Sequence, residues 1–83
     1  IRLLNLQPGS FDDPICCYLD QVSLSAGRAY EALSYVWGNA SDTSPMGLDG
    51  ATYYITKILE CALRYLRHKV SPRVLWVDAV CIN

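Results

Sequence analysis

The chain has 83 residues, of which 52% are apolar and 18% charged, with a formal net charge of −1. That apolar content excludes an intrinsically disordered segment, and the scattered Lys and Arg residues form no basic stripe of the kind that binds DNA or RNA. The longest apolar stretch, Val74 to Val80, is broken by Asp78 and falls far short of the ~20 residues a membrane helix requires, so no membrane span is expected.

Ile1-Arg2-Leu3-Leu4-Asn5-Leu6 reads as a short strand stopped by Pro8-Gly9, a dipeptide suited to a type II turn. A second run, Pro14 to Leu19, is expected to return beside it, giving an N-terminal β-hairpin at a sheet edge. Cys16 and Cys17 are adjacent in that run, so their side chains leave opposite faces and make a poor disulfide pair. Cys61 and Cys81 add no C-x-x-C or Cys/His spacing, so no metal site is expected, and the cysteines read as small buried hydrophobes of a reducing compartment. Asp20 to Arg28 is polar connection with a turn at Ser25-Ala26-Gly27.

Residues 30–37 form an aromatic-rich strand that ends at Gly38-Asn39. Asn39 to Pro45 is read as a polar loop. Asp49-Gly50 between short apolar runs then signals a type I′ hairpin, with Tyr53-Tyr54-Ile55 on the returning strand. Thr56 is placed to N-cap a helix spanning 56–69. At 3.6 residues per turn, Ile58, Leu59, Ala62, Leu63 and Leu66 share one face, while Lys57, Glu60, Arg64, Arg67 and His68 gather on the other, which is expected to be wet. After Ser71-Pro72, residues 74–80 are almost continuously apolar, as in a parallel strand covered on both faces. Strand 30–37, helix 56–69 and strand 74–80 therefore make a βαβ unit of an α/β open sheet, with the hairpin inserted before the helix.

Asp78 is the one carboxylate in an apolar run. It is expected either to cap backbone amides of the next loop or, with Trp37 and Gly38, to line the carboxyl edge of the sheet, where open α/β folds hold ligands. Trp37 either fills core or stacks on a flat ligand, and Gly38 permits close backbone approach. Ser34 lacks a nucleophile-elbow context and the sole histidine, His68, lies on the wet helix face, so a Ser/His hydrolase is unsupported. No G-x-G-x-x-G or P-loop is present, and no bound cofactor is expected.

Two blocks carry a resemblance. Tyr30-Glu31-Ala32-Leu33-Ser34-Tyr35-Val36-Trp37-Gly38 and Leu75-Trp76-Val77-Asp78-Ala79-Val80-Cys81-Ile82-Asn83 closely resemble the two signature blocks that open the HET (heterokaryon incompatibility) domain of filamentous fungi. Ile55-Thr56, Leu59, Ala62-Leu63-Arg64 and Leu66-Arg67 resemble the helix between those blocks, and the opening Ile1-Arg2-Leu3-Leu4 with Pro8-Gly9 also fits. The resemblance implies that residues 1–83 are the N-terminal portion of a single HET domain that continues beyond Asn83, and that the fold is a partial TIR-like or flavodoxin-like open sheet. It further implies a cytoplasmic effector of non-self recognition and programmed cell death, whose partners are other protein domains or copies of itself. Some TIR domains hydrolyse NAD with a helix-borne glutamate, so the resemblance implies NAD as a substrate of the complete domain. Neither Glu31 nor Glu60 matches that catalytic position, so the catalytic residue is expected beyond Asn83 and the 83 residues alone are not expected to be active. The alternative is a non-catalytic interaction module of the same fold.

Overall fold

The computed structural model describes residues 1–23, 25, 27, 29–34 and 38–82. The elements in chain order are strands β1 (Arg2–Leu6), β2 (Cys16–Gln21), β3 (Glu31–Leu33), β4 (Thr43–Leu48) and β5 (Ala51–Thr56), helix α1 (Lys57–Leu66), strand β6 (Arg73–Val77) and the short helix α2 (Asp78–Cys81). The strands form one mixed sheet in the order β3-β6-β1-β2-β4-β5.

The expected βαβ unit is present, since β3 and β6 pair in parallel, with Glu31 opposite Leu75 and Leu33 opposite Val77. Its elements are shorter than the sequence suggests. The first strand spans Glu31–Leu33 rather than 30–37, and residues 35–37 lie outside the described residues. The helix spans Lys57–Leu66 rather than 56–69, with Thr56 as its N-cap: the Thr56 hydroxyl accepts from the Leu59 amide at 3.2 Å. The last strand ends at Val77 rather than residue 80, because the backbone turns helical from Asp78 to Cys81.

The N-terminal hairpin forms but does not sit at an edge. β1 pairs antiparallel with both β2 and β6, which places it inside the sheet. The Pro8-Gly9 turn is not of type II, since Gly9 is absent from the left-handed backbone positions. Its amide instead donates to the His68 carbonyl at 3.0 Å. Residues 43–45, expected as loop, open β4. Pro45 is tolerated there because the amides of Gly47 and Asp49 point toward β2, so position 45, two residues earlier, also faces that side. Pairing with β2 begins only at Cys16 opposite Gly47, so the missing N–H removes no ladder bond. The β4–β5 turn is of type I′ as the Asp-Gly pair predicts, with φ of 53° at Asp49 and 82° at Gly50.

One sheet face packs on α1. By register Leu4 lies beside Leu75 and Leu19, and Leu6 beside Cys17. These side chains, with Val77, Met46 and Ile55, enclose Leu59 and Leu63 of the helix. Leu59 and Leu63 are buried as the helical face requires, but Ile58 is 56% exposed. Of the residues that alternate to the reverse face, Leu3 is buried, Trp76 half-buried and Tyr18 exposed. Cys16 and Cys17 do point to opposite faces. Cys17 and Cys81 are buried, whereas Cys16 and Cys61 are exposed, and all four are free thiols.

The supposed wet face of α1 is a clamp. Arg67 caps the helix C-terminus and is only 8% exposed. Its guanidinium donates to the carbonyls of Pro14 and Asp13, both at 2.8 Å, and to those of Phe11 and Ser10. Arg64 donates to the carbonyls of Phe11 and Asp13 at 2.8 and 2.7 Å while pairing with Glu60 at 3.4 Å. The loop between β1 and β2 is thereby held to the helix by planar forks that match carbonyl oxygens.

Candidate functional site at the carboxyl edge of the parallel strands

Because β3 and β6 run in parallel with Leu33 opposite Val77, the next residue of each strand, Ser34 and Asp78, emerges at the same edge of the sheet. The Ser34 hydroxyl donates to Asp78 Oδ2 at 2.9 Å, and Asp78 Oδ1 accepts from the Ala79 amide at 2.9 Å. Asp78 is the first residue of α2, whose cap position Val77 makes no side-chain bond, so its carboxylate accepts from a neighbouring amide of the first turn and also bridges the ends of two strands. Ser34, unremarkable when judged as a nucleophile, is the residue that the sequence reading missed. With Ser34 expected inside strand 30–37 and Asp78 inside strand 74–80, the sequence carried no signal for the pair, which depends on where the two strands end and on their register.

Gly38 has a left-handed φ of 83°, a conformation that side chains disfavour. A Cβ placed on it would lie 2.6 Å from the δ-methyl of Ile58. That methyl belongs to an exposed side chain and can swing aside, so the backbone angle is what reserves the position for glycine. Gly38 therefore seats its loop against the first turn of α1, and the group it approaches is a side chain of the same protein. Trp37, Tyr35 and Asn83 lie outside the described residues. Of the other residues in the two blocks, Tyr30 and Ile82 are exposed at 42% and 59%, Cys81 is buried, and Ala32 lies opposite Trp76 in the strand register.

At the opposite, amino end of the same strand pair, Arg73 grips Glu31 in a bidentate pair, Nε to Oε1 at 2.7 Å and Nη2 to Oε2 at 2.8 Å, and its Nη1 donates to the Leu66 carbonyl at 2.8 Å. Strands β3 and β6 are therefore tied at both ends, by an ion pair and by a serine–aspartate hydrogen bond. The Arg73 hydrogen bonds hold the Glu31 carboxyl below its ordinary value of 4.5. A carboxyl depressed in the folded state stabilises the fold above its unfolded value and loses that contribution as pH falls through the folded value. In Arg73→Met the Glu31 carboxyl should titrate back up toward 4.5. Carbon-detected NMR titration of that carboxyl measures it, and an unchanged midpoint would show that the pair is not formed in solution.

An open pocket of about 320 Å³ lies at this amino end, lined by Ala29, Tyr30, Glu31, His68, Pro72, Arg73 and Val74. Its two charged groups of opposite sign already satisfy one another, and His68 is exposed, so it offers no convergent chemistry. Among the described residues no group of His, Cys, Asp and Glu side chains could hold a metal ion. The buried thiols are not nucleophiles either. Burial pushes the Cys17 thiol up to about 12, outweighing the nearby Arg67 charge, and burial also raises Cys81, so both stay protonated at neutral pH.

The model of the family described as heterokaryon incompatibility protein (HET) matches residues 30–83, from the start of the first block through the second. The chain belongs to the HET family. It is also 35% identical over 97 residues to heterokaryon incompatibility protein 6, OR allele, of Neurospora crassa. That match covers 100% of this chain but 14% of the relative, so the chain spans about one-seventh of the relative's length. No solved structure matches. The HET match covers both strands of the parallel pair, helix α1 and the serine–aspartate bridge, whereas β1 and β2 precede it. Among the described residues no helix is long and apolar enough to cross a membrane.

Proposed function

We propose that this HET chain acts in fungal heterokaryon incompatibility, as part of a cytoplasmic effector of non-self recognition and cell death, and that the complete domain cleaves NAD. In such a reaction water adds to the ribose carbon, the bond to nicotinamide breaks with its electron pair going to the ring nitrogen, neutral nicotinamide leaves and one proton of the water is released to solvent, so no further oxidant or reductant is required. The observation that carries the reading is the Ser34–Asp78 bridge at the carboxyl edge of parallel strands, where open α/β sheets hold ligands, within the residues 30–83 that the family model matches. On this reading residues 1–83 build the rim, with Asp78 held by Ser34 and the amide of Ala79, and a catalytic carboxylate comes from elsewhere in the complete protein.

A second reading has an observation of its own. Asp78 is already engaged by a hydroxyl and an amide, as a purely structural cap would be, which favours a non-catalytic module that signals through protein contacts. The two are separated in the full-length protein by following nicotinamide release from NAD and thermal melting on the same samples. The enzymatic reading expects release by the wild type and, in Asp78→Asn, a fall in turnover of about tenfold or more, beyond any loss of stability. A wild type that releases no nicotinamide even when concentrated would favour the interaction module, whereas a variant in which melting and turnover fall together would make Asp78 a structural residue and remove the rim from the mechanism.

A further inference from the structure

The sheet has two outer edges, and they are built differently. β3 is three residues long, carries Glu31 and is anchored by Arg73, which are common protections against edge pairing. β5 has none of these. Its six residues, Ala51-Thr52-Tyr53-Tyr54-Ile55-Thr56, include no charge, proline or glycine, and they pair with β4 without a bulge, from Thr43 opposite Thr56 to Leu48 opposite Ala51. Among the described residues nothing pairs with the outer side of β5.

The hydrogen-bond parity of that edge can be worked out. The amides of Gly47 and Asp49 donate to the carbonyls of Ile15 and Cys17, so odd-numbered residues of this segment face β2 and even-numbered ones face β5. Residues 44, 46 and 48 therefore exchange bonds with 55, 53 and 51, leaving the backbone groups of Thr52, Tyr54 and the Thr56 amide pointing outward. An antiparallel partner strand related by a two-fold axis is centred either on an outward residue, as a hydrogen-bonded pair, or on an inward one, as a non-hydrogen-bonded pair. Centres at Tyr53 and at Tyr54 overlap equally between the Asp49-Gly50 turn and the start of α1, and the Tyr54 centre puts the more exposed of the two tyrosines on the axis. It sets Tyr54 opposite Tyr54 of the copy, Thr52 opposite Thr56, and Tyr53 opposite Ile55. Aromatic, aromatic–β-branched and Thr–Thr pairs are the favourable cross-strand combinations, and no charges meet. The Tyr54 side chain, 64% exposed, stands at the centre.

We infer that the outer edge of β5 is an interface for a second copy of this chain, joined antiparallel about a two-fold axis at Tyr54. The sequence of the edge is its own complement, which is what a two-fold interface demands of a single patch.

Sedimentation equilibrium on the full-length protein tests this. The wild type should associate reversibly. Tyr54→Lys places two like charges opposite one another and should weaken association by about tenfold or more, with melting unchanged because the residue is exposed. Val70→Lys, which adds the same charge at a residue 91% exposed away from this edge, should leave association unaltered. Mixing Tyr54→Lys with Tyr54→Glu should restore association between the two variants, because only a two-fold pairing brings position 54 against itself. A monomeric wild type, a dimer indifferent to Tyr54→Lys, or a loss that the charge-swapped mixture does not repair would each overturn the inference.

Discussion

Arg67→Ala in the full-length protein should lower the free energy of unfolding by about 2–4 kcal/mol, far more than a surface arginine contributes. The guanidinium is buried and holds four carbonyls of the β1–β2 loop, those of Ser10, Phe11, Asp13 and Pro14. Hydrogen bonds from a charged donor contribute about 1.5–3 kcal/mol each, but the sum is reduced by two effects. Residues 10–14 are largely exposed, so water can replace part of what is lost, and the buried Arg67 Nε has no partner among the described residues, so its removal relieves a desolvation cost. Lysine cannot reproduce a planar fork, and Arg67→Lys should recover less than half of the loss. Arg64→Ala should cost only about 1 kcal/mol, because its side chain is partly solvated and the same carbonyls keep Arg67. Urea unfolding measures all three. Similar small losses at both arginines would mean that the loop is not clamped in solution.

Leu63→Ala should cost about 2–5 kcal/mol by the same measurement, since the side chain is fully enclosed between α1 and the sheet and its loss leaves a cavity. Tyr65, two residues on, is 74% exposed and touches Phe11 edge-on with ring centres 5.0 Å apart. Tyr65→Ala should cost about 1 kcal/mol or less. The contrast fixes the helix orientation: equal losses at 63 and 65 would require α1 to be rotated on its axis.

What was legible in the sequence was local chemistry. Thr56 could be read as an N-cap because the hydroxyl bonds an amide three residues on, and Asp49-Gly50 as a I′ turn because both positions need positive φ. The helix face was legible at Leu59 and Leu63, where period and burial agree. What failed depends on partners distant in the chain. Arg67 falls with Arg64 on a helical wheel, but the chain leaves the helix after Leu66 and a loop some fifty residues earlier wraps over that side. Nothing in residues 1–6 indicates that β1 inserts between β2 and β6, since pairing partners are chosen by the whole sheet. The apolar run at 74–80 hid a change from strand to helix because hydrophobicity alone does not distinguish the two, and Asp78 marks the change. Asp78 was picked out for being a lone carboxylate, whereas its partner Ser34 required the register of β3 against β6.

The central claim is that the two HET blocks meet as parallel strands whose ends form one functional unit through Ser34 and Asp78. A double-mutant cycle in the full-length protein, with Ser34→Ala, Asp78→Asn and the pair, tests it by nicotinamide release normalised to the folded fraction. If Ser34 acts by holding Asp78, the double variant should be no slower than Asp78→Asn alone, since removing the carboxylate leaves Ser34 nothing to position. Two effects that multiply independently, or single variants that release nicotinamide at the wild-type rate, would contradict it.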